Sequence, residues 1–100
     1  MNILISRSPV IEEYLVYKGI KIDQVHPFLT RKMFTNFDQI DNTIFGMLSA
    51  PATARLLRAR VVYIEISSPK KARNGSLTLE TLKAFSPALL EMRAQIVRKH

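Results

Sequence analysis

The sequence predicts a small α/β domain built around a parallel sheet, and three observations carry this prediction. Strand-like and helix-like runs alternate along the 100 residues, as they do in strand–helix–strand units. Three strand-like runs end in serine with proline close behind, which is typical of a strand leading into a helix. The composition, 47% hydrophobic and 23% charged, is that of one globular domain spanning residues 1–100.

The first half of the chain predicts two strands and one well-defined helix. Ile3 to Ile5 form a short apolar run that predicts a buried strand, and a helix follows from Pro9. Gly19 stands where this helix needs a C-terminal cap. The alternating stretch 20–25 predicts the second strand. For residues 26–42 two interpretations stay open, namely one helical turn around the sequence TRKMF or an ordered loop.

The middle of the chain predicts two more strands with a helix between them. The apolar run 43–48 is the third strand, and a helix opens at Pro51. The β-branched run 61–66 is the fourth strand. Right-handed crossovers then favour a four-stranded parallel sheet of order 2-1-3-4 with helices on both faces. Glu65 is the single charge in the fourth strand, which suits an edge position.

The last third predicts helix. Apolar residues recur there at spacings of three and four, in a stripe made of Leu82, Phe85, Leu89, Met92 and Ile96. Pro87 interrupts the stripe, so we expect a kink or two successive helices, with Ser86 capping the second. The stripe either covers the protein's own sheet or forms a dimer seam.

Charge and composition narrow the function classes. The formal net charge of +7 favours an anionic partner, such as a nucleotide or a nucleic acid, although basic character also serves solubility alone. The absence of cysteine excludes disulfides, thiolate metal sites and cysteine nucleophiles. No apolar run reaches the length of a membrane span, and the N-terminus shows no leader, so we expect a cytoplasmic protein.

Polar residues collect where the predicted strands end. The carboxyl ends of parallel strands meet at one edge of a sheet, and ligands bind there at the point where the winding reverses. That point lies between the first and third strands. The candidate site residues at this edge are Ser6, Arg7, Ser8, His26, Leu48, Ser49, Ala50, Ser67, Ser68, Lys70, Lys71 and Arg73. Together with helix N-termini, these cations predict an anion site.

Structural explanations compete with this one for single residues. Ser8 and Ser49 are each well placed to cap a following helix. Capping does not require Arg7, which is why that residue stands out. The basic stretch PKKARNG is either a solvated loop or part of the site. His26 is either a proton shuttle or a residue that ends a strand before proline.

Several other constellations are missing from the sequence. The three glycines form no phosphate-binding loop, and the two histidines and scattered carboxylates form no recognisable metal site. We therefore expect no cofactor and no metal. A basic adaptor for ordinary RNA or DNA is one interpretation, but Phe28, Phe34 and Phe37 are not expected to form a stacking platform for it.

Three segments together resemble the small CRISPR-associated proteins of type III systems. The segments are ILISRSP, TIFGMLSAPATARLLRARVVYIEIS and PKKARNGSLTLETLKAF. The family pattern has Ser-Arg-His-Pro after the first strand, Gly-x-Leu-Pro at the end of the third, and an Arg-Gly-x-x-Leu-Thr-like stretch before the last helix. The matching residues here are Ser6, Arg7, Pro9, Gly46, Leu48, Arg73, Gly75, Leu77 and Thr78, with Asn74 inserted. Ser8 stands in place of the family's histidine, and Ser49 in place of its proline.

The resemblance implies a small Rossmann-like (CARF-like) fold and a homodimer that handles cyclic oligoadenylate, the second messenger of those systems, at its two-fold interface. Members of that family include ring nucleases, which open this messenger. From the edge residues we hypothesise a metal-independent ring nuclease for cyclic tetra-adenylate, with Arg7, His26 and Lys70 or Lys71 as catalytic residues and the remaining edge residues binding phosphate. Because Ser8 replaces a histidine, the alternative is a protein that binds the messenger as a sponge or sensor without cleaving it.

Overall fold

The computed structural model describes residues 1–66 and 78–92, which form a five-stranded mixed sheet with helices on both faces. The strand order is β2-β1-β3-β4-β5. The strands are β1 Asn2–Ile5, β2 Gln24–His26, β3 Thr43–Gly46, β4 Arg60–Glu65 and β5 Ala88–Met92. The helices within the described residues are α1 Pro9–Tyr17, α2 Arg31–Phe37, α3 Ala50–Ala54 and α4 Leu79–Phe85.

The parallel part of the sheet agrees with the strand order expected from the sequence. β1 lies in the middle and pairs in parallel with β2 on one side and β3 on the other, and β4 pairs in parallel with β3. The chain therefore reverses its winding direction between β1 and β3. Since parallel strands end at the same edge, the segments that follow β1 and β3 lie next to each other, and this placement builds the site.

Alternation along the strands divides the core into two apolar layers. Leu4 and Phe45 face α1 and α4, and pack with Tyr14, Leu15 and Leu82. The other layer contains Ile3, Ile5, Ile44, Leu56, Ala59 and Val61, covered by the phenylalanines of α2. Full burial of each such aliphatic side chain contributes about 1.5–3 kcal/mol, so the two layers are the main source of stability.

The end of the described chain departs from the predicted helix. α4 stops at Phe85, and Ser86 adopts a left-handed conformation with φ 46° and ψ 66°. Pro87 has no N–H with which to continue a helix, so the chain turns and forms β5, antiparallel to β4. The prediction that Ser86 caps a second helix is wrong, because it is the residue that ends the first.

The strand β5 also corrects the predicted sheet. The sheet has five strands and is mixed, whereas the sequence predicted four parallel strands. β4 is therefore paired on both sides, and Glu65 lies opposite Ala88 instead of at an edge. Arg60 Nε and Glu91 Oε1 form an ion pair at 3.0 Å between these two strands. Leu89 is half-buried in β5. A single apolar residue fits helical spacing and strand alternation equally well, so its place in the predicted helical stripe did not distinguish the two.

The remaining boundaries show which local signals were sufficient. Gly19, at φ +89°, ends α1 as predicted, with its N–H bonded to Val16 O and the N–H of Ile20 bonded to Leu15 O. The predicted strand 20–25 is shorter in the structure, because Ile20 and Ile22 pack against the α1 layer before the chain joins the sheet. Pairing with β1 begins only at Gln24.

Part of the segment 26–42, for which the sequence left a helical turn or a loop open, forms the helix α2. α2 begins after Thr30, whose hydroxyl accepts a hydrogen bond from the N–H of Met33. Asn42 Nδ2 donates to the carbonyl of Phe37 at 3.1 Å and ties the end of α2 to the start of β3. In residues 1–66 and 78–92, none of the helices has the length and apolar character needed to cross a bilayer.

Candidate functional site

A cavity of about 380 Å³ opens at the carboxyl edge of the sheet, between the segments that follow β1 and β3. The loop after β2 closes one side of it. The described lining is mostly apolar, with Ser6, Arg7 and Ser49 as its hydrogen-bonding side chains. The predicted location of a ligand site at the winding reversal therefore coincides with a cavity in the structure.

The turn after β1 is held closed by its own serine. Ser6 N–H donates to the carbonyl of His26 at 2.8 Å, which anchors the turn to the end of β2. Ser6 Oγ accepts from the N–H of Ser8 at 3.1 Å and donates to its carbonyl at 3.3 Å. Ser8 itself makes no capping hydrogen bond to α1. The local hydrogen bonds of this turn use the Ser6 hydroxyl and leave the side chain of Arg7 uncommitted.

Arg7 is exposed and lines the cavity. Among the described residues it forms no ion pair, and the described lining of the cavity contains no carboxylate and no second cation. A guanidinium without a carboxylate partner keeps its five donors available for an anion. Among the described residues that line the cavity, Arg7 is therefore the one that carries charge.

The corner after β3 uses its serine differently. Ser49 Oγ accepts from the N–H of Ala52 at 3.3 Å and caps α3, while its carbonyl accepts from Thr53 Oγ1 at 3.0 Å. A Cβ atom added to Gly46 would lie 2.7 Å from the carbonyl oxygen of Ile5, so the residue at this position must be small. The close approach of β3 to β1 at Gly46 brings the two corners onto one cavity.

His26 lies beside the cavity and is not among its lining residues. Its Nε2 is 3.0 Å from Gln24 Oε1, and its ring lies 5.3 Å from the ring of Phe37, centroid to centroid. Both contacts hold the imidazole against β2 and α2. The structure therefore supplies His26 with structural partners, and its role as a proton shuttle stays a hypothesis.

Two phenylalanines form an aromatic wall of the cavity. Phe28 and Phe34 both line the cavity. The guanidinium of Arg55 lies 4.2 Å from the centroid of the Phe34 ring, in cation–π geometry. The sequence prediction that Phe28, Phe34 and Phe37 form no stacking platform for RNA or DNA stays a prediction, and it did not include the position of two of them at the cavity. The signal available in the sequence was the spacing of Phe28, Phe34 and Phe37 directly after the end of β2.

The predicted site residues divide into three groups. Ser6, Arg7, Leu48 and Ser49 line the cavity together. Ser8, His26 and Ala50 lie next to lining residues without contributing to the lining. The predictions for Ser67, Ser68, Lys70, Lys71 and Arg73 lie outside the described residues. In the part of the chain that the structure describes, no three side chains of the types His, Asp and Glu are grouped so as to hold a metal ion.

Arg55, Arg58 and Arg60 follow α3 and do not share one helix face, because α3 ends at Ala54. Arg55 lies over Phe34, and Arg60 pairs with Glu91. The backbone N–H groups of Arg58 and Ala59 both donate to Asp38 Oδ1, at 2.6 and 2.9 Å. This carboxylate fixes the entry to β4 against the end of α2.

Comparison of the chain with protein-family models, with curated proteins and with solved structures finds no match in any of the three. The resemblance to the type III CRISPR-associated proteins therefore stays a prediction from the sequence motifs.

Proposed function

We propose that this protein binds cyclic oligoadenylate, most simply cyclic tetra-adenylate, at the carboxyl edge of its sheet and opens the ring without a metal ion. The observation that supports this most strongly is that Arg7 lines a cavity at the winding reversal and has no ion-pair partner within the described residues. An available guanidinium beside an apolar cavity suits a ligand that carries both phosphates and aromatic bases.

The chemistry that fits this site is an in-line attack within the ligand. The ribose 2′-hydroxyl attacks the adjacent phosphorus, a P–O2′ bond forms and the P–O5′ bond breaks. The 2′-hydroxyl loses its proton and the departing 5′-oxygen gains one, so the products are a 2′,3′-cyclic phosphate and a 5′-hydroxyl. Arg7 would stabilise the extra negative charge of the pentacoordinate phosphorus, while Ser6 and Ser49 border the phosphate.

The wider biological setting follows from the motifs and belongs to the same proposal. The protein would have a Rossmann-like fold and belong to a type III CRISPR system in the cytoplasm. There it would act as a homodimer that switches off signalling. A two-fold dimer would present Arg7 twice to a ring of phosphates, which matches the symmetry of the ligand. His26 and Lys70 complete the proposed catalytic set, and Ser8, Ala50, Ser67, Ser68, Lys71 and Arg73 the proposed binding set.

A second candidate function is binding without cleavage, as a sponge or sensor of the same messenger. The position of His26 favours it, since the imidazole is held by Gln24 and Phe37 and does not line the cavity. Ser8 occupies the position at which the resembled family has a histidine. Position 8 therefore supplies no imidazole, and the imidazole of His26 does not reach the cavity. Among the described residues, no side chain at the cavity is then a clear general acid or base for proton transfer.

One assay separates the two candidates. The protein is incubated with labelled cyclic tetra-adenylate in EDTA, and the products are separated by chromatography after denaturation. A ring nuclease converts the ligand to linear product with a 2′,3′-cyclic phosphate end, whereas a sponge retains intact ligand that co-elutes with the native protein. If the native protein neither retains nor converts the ligand, the proposed function is wrong.

A further inference from the structure

The lining of the cavity differs from what a phosphate ring requires. Leu29, Leu48 and Ile64 line it together with the aromatic wall, and the single described cation is Arg7. A charged phosphodiester placed among such side chains would lose its hydration without compensation. A planar apolar group would gain from the same surroundings.

The size of the cavity limits what it can enclose. Its volume of about 380 Å³ lies near the lower end of the range for small-molecule sites, which begins at roughly 300 Å³. A cyclic oligonucleotide is much larger than one nucleoside, so most of its ring has to remain outside. The cavity therefore fits one base of such a ligand, with the phosphates at its mouth.

Phe34 has the surroundings of a stacking residue. Its ring borders the cavity and also a second, more polar groove, and Arg55 lines only that groove. The guanidinium of Arg55, which lines the groove and not the cavity, is 4.2 Å from the centroid of the Phe34 ring. This contact holds the ring from the groove, and a second planar group would stack on Phe34 from the cavity.

We propose that the cavity is a nucleobase pocket in which Phe34 stacks on one adenine, while Arg7 binds the phosphate of the same nucleotide. Phe34 is a specificity residue in this arrangement, and Arg55 is a positioning residue that acts through Phe34. The identity of the base as adenine rests on the proposed function. The existence of a base pocket rests on the lining and on the contact between Arg55 and Phe34.

The test compares a ligand that has a base with one that has none. Binding of adenosine 5′-monophosphate and ribose 5-phosphate is measured by NMR titration for the wild type, Phe34→Leu and Phe37→Leu. Phe37 is the matched control, because it belongs to the same helix and packs against His26 without lining the cavity. Leucine retains the apolar volume in both variants, and circular dichroism checks the fold.

We expect Phe34→Leu to bind the monophosphate roughly tenfold more weakly, since stacking one base on an aromatic side chain is worth about that factor or more. Phe37→Leu should bind it as the wild type does, and ribose 5-phosphate should bind weakly and equally to all three proteins. Arg55→Gln should weaken binding of the monophosphate about two- to fivefold without affecting ribose 5-phosphate. Arg55→Lys, which retains the cation, should recover part of that loss.

Two outcomes overturn the base pocket. One is equal binding of the monophosphate by Phe34→Leu and wild type, and the other is no binding by the wild type of either the monophosphate or cyclic tetra-adenylate. If Phe34→Leu does not fold, a saturation-transfer NMR experiment on the wild type tests the base pocket instead. In that experiment the adenine protons of the bound monophosphate or cyclic tetra-adenylate are saturated. Transfer to the methyl groups of Leu29 and Leu48 supports the pocket, and binding without transfer overturns it. Binding of the monophosphate but not of cyclic tetra-adenylate supports the pocket while refuting the proposed function.

Discussion

The two strand-to-helix corners at the cavity are alike in sequence and different in structure. After β1 the chain reads Ser-Arg-Ser-Pro, and after β3 it reads Met-Leu-Ser-Ala-Pro. In the second corner Ser49 caps α3 in the ordinary way. In the first corner Ser6 closes the turn on itself, and Ser8 makes no cap. A serine before proline is therefore not by itself a cap, because Ser8 stands at the start of α1 without a capping hydrogen bond, and among the described residues the Ser6 hydroxyl bonds only the backbone of Ser8.

The difference has a consequence for ligand binding. A capped helix start uses its serine for stability, as Ser49 does within the second corner. The first corner is stabilised by the Ser6 hydroxyl and by the bond from Ser6 N–H to His26 O, so Arg7 has no structural task among the described residues. We therefore propose that the first corner recognises the charge of the ligand through Arg7, whereas the second corner contributes to the shape of the cavity.

Replacing Arg7 tests this assignment with the largest expected effect. If the proposed function is correct, Arg7→Ala should slow opening of cyclic tetra-adenylate by on the order of a hundredfold or more, because it removes the cation proposed to stabilise the reacting phosphate. Stability should change by less than about 0.5 kcal/mol, since the side chain is exposed. Product formation under single-turnover conditions and thermal unfolding measure the two quantities.

The matched control is Arg58→Ala, which removes an exposed arginine that does not line the cavity. It should leave cleavage unchanged. If the protein binds without cleaving, the same pair of variants is compared by affinity, with a loss expected for Arg7→Ala alone. If Arg7→Ala cleaves or binds the ligand as the wild type does, Arg7 has no role in the site.

Enlarging Gly46 tests whether β3 lies so close to β1 at this position that a side chain destabilises the protein. Gly46→Ala should lower the free energy of unfolding by about 1–3 kcal/mol, because its Cβ would lie 2.7 Å from the backbone oxygen of Ile5. Gly19→Ala is the comparison variant. Its Cβ meets no atom within 4 Å, so only its φ of +89° is costly, by about 1 kcal/mol. Urea unfolding measures both, and equal stability of Gly46→Ala and wild type would contradict the argument.

Removing the serine hydroxyls one at a time gives the smallest effects and the sharpest contrast between the corners. Ser49→Ala should lower the free energy of unfolding by about 1 kcal/mol through loss of the α3 cap. Ser8→Ala should change it by less than about 0.5 kcal/mol, because that hydroxyl makes no cap. Urea unfolding at one temperature measures the pair. A cost for Ser8→Ala as large as that for Ser49→Ala would show that the two corners are equivalent.

Local signals predicted much of the fold. Apolar runs identified β1, β3 and β4, proline marked the starts of two helices, and Gly19 marked the end of one. Crossover handedness then led to the correct order of the first four strands. These features succeed because each depends on a few neighbouring residues or on a general rule of chain geometry.

The failures share a different cause. Residues 88–92 satisfy helical spacing about as well as strand alternation, and only the unpaired side of β4 and the break at Pro87 decide between them. The predicted strand at residues 20–23 was lost in the same way, because packing against α1 takes precedence over pairing with β1. Periodicity reports which face of a segment is apolar, and tertiary packing decides what that face contacts.

By itself the sequence determined the α/β class, the meeting of the β1 and β3 ends at one edge, and Arg7 as the residue that capping does not explain. Only the tertiary structure decided that the Ser6 N–H anchors the first corner to the carbonyl of His26, that β5 pairs with β4, and that Phe34, in contact with Arg55, borders the same cavity as Arg7. The physical reason is distance along the chain. Hydrogen bonding within a corner depends on adjacent residues, whereas a cavity wall is assembled from segments that are separated in sequence and joined only by packing.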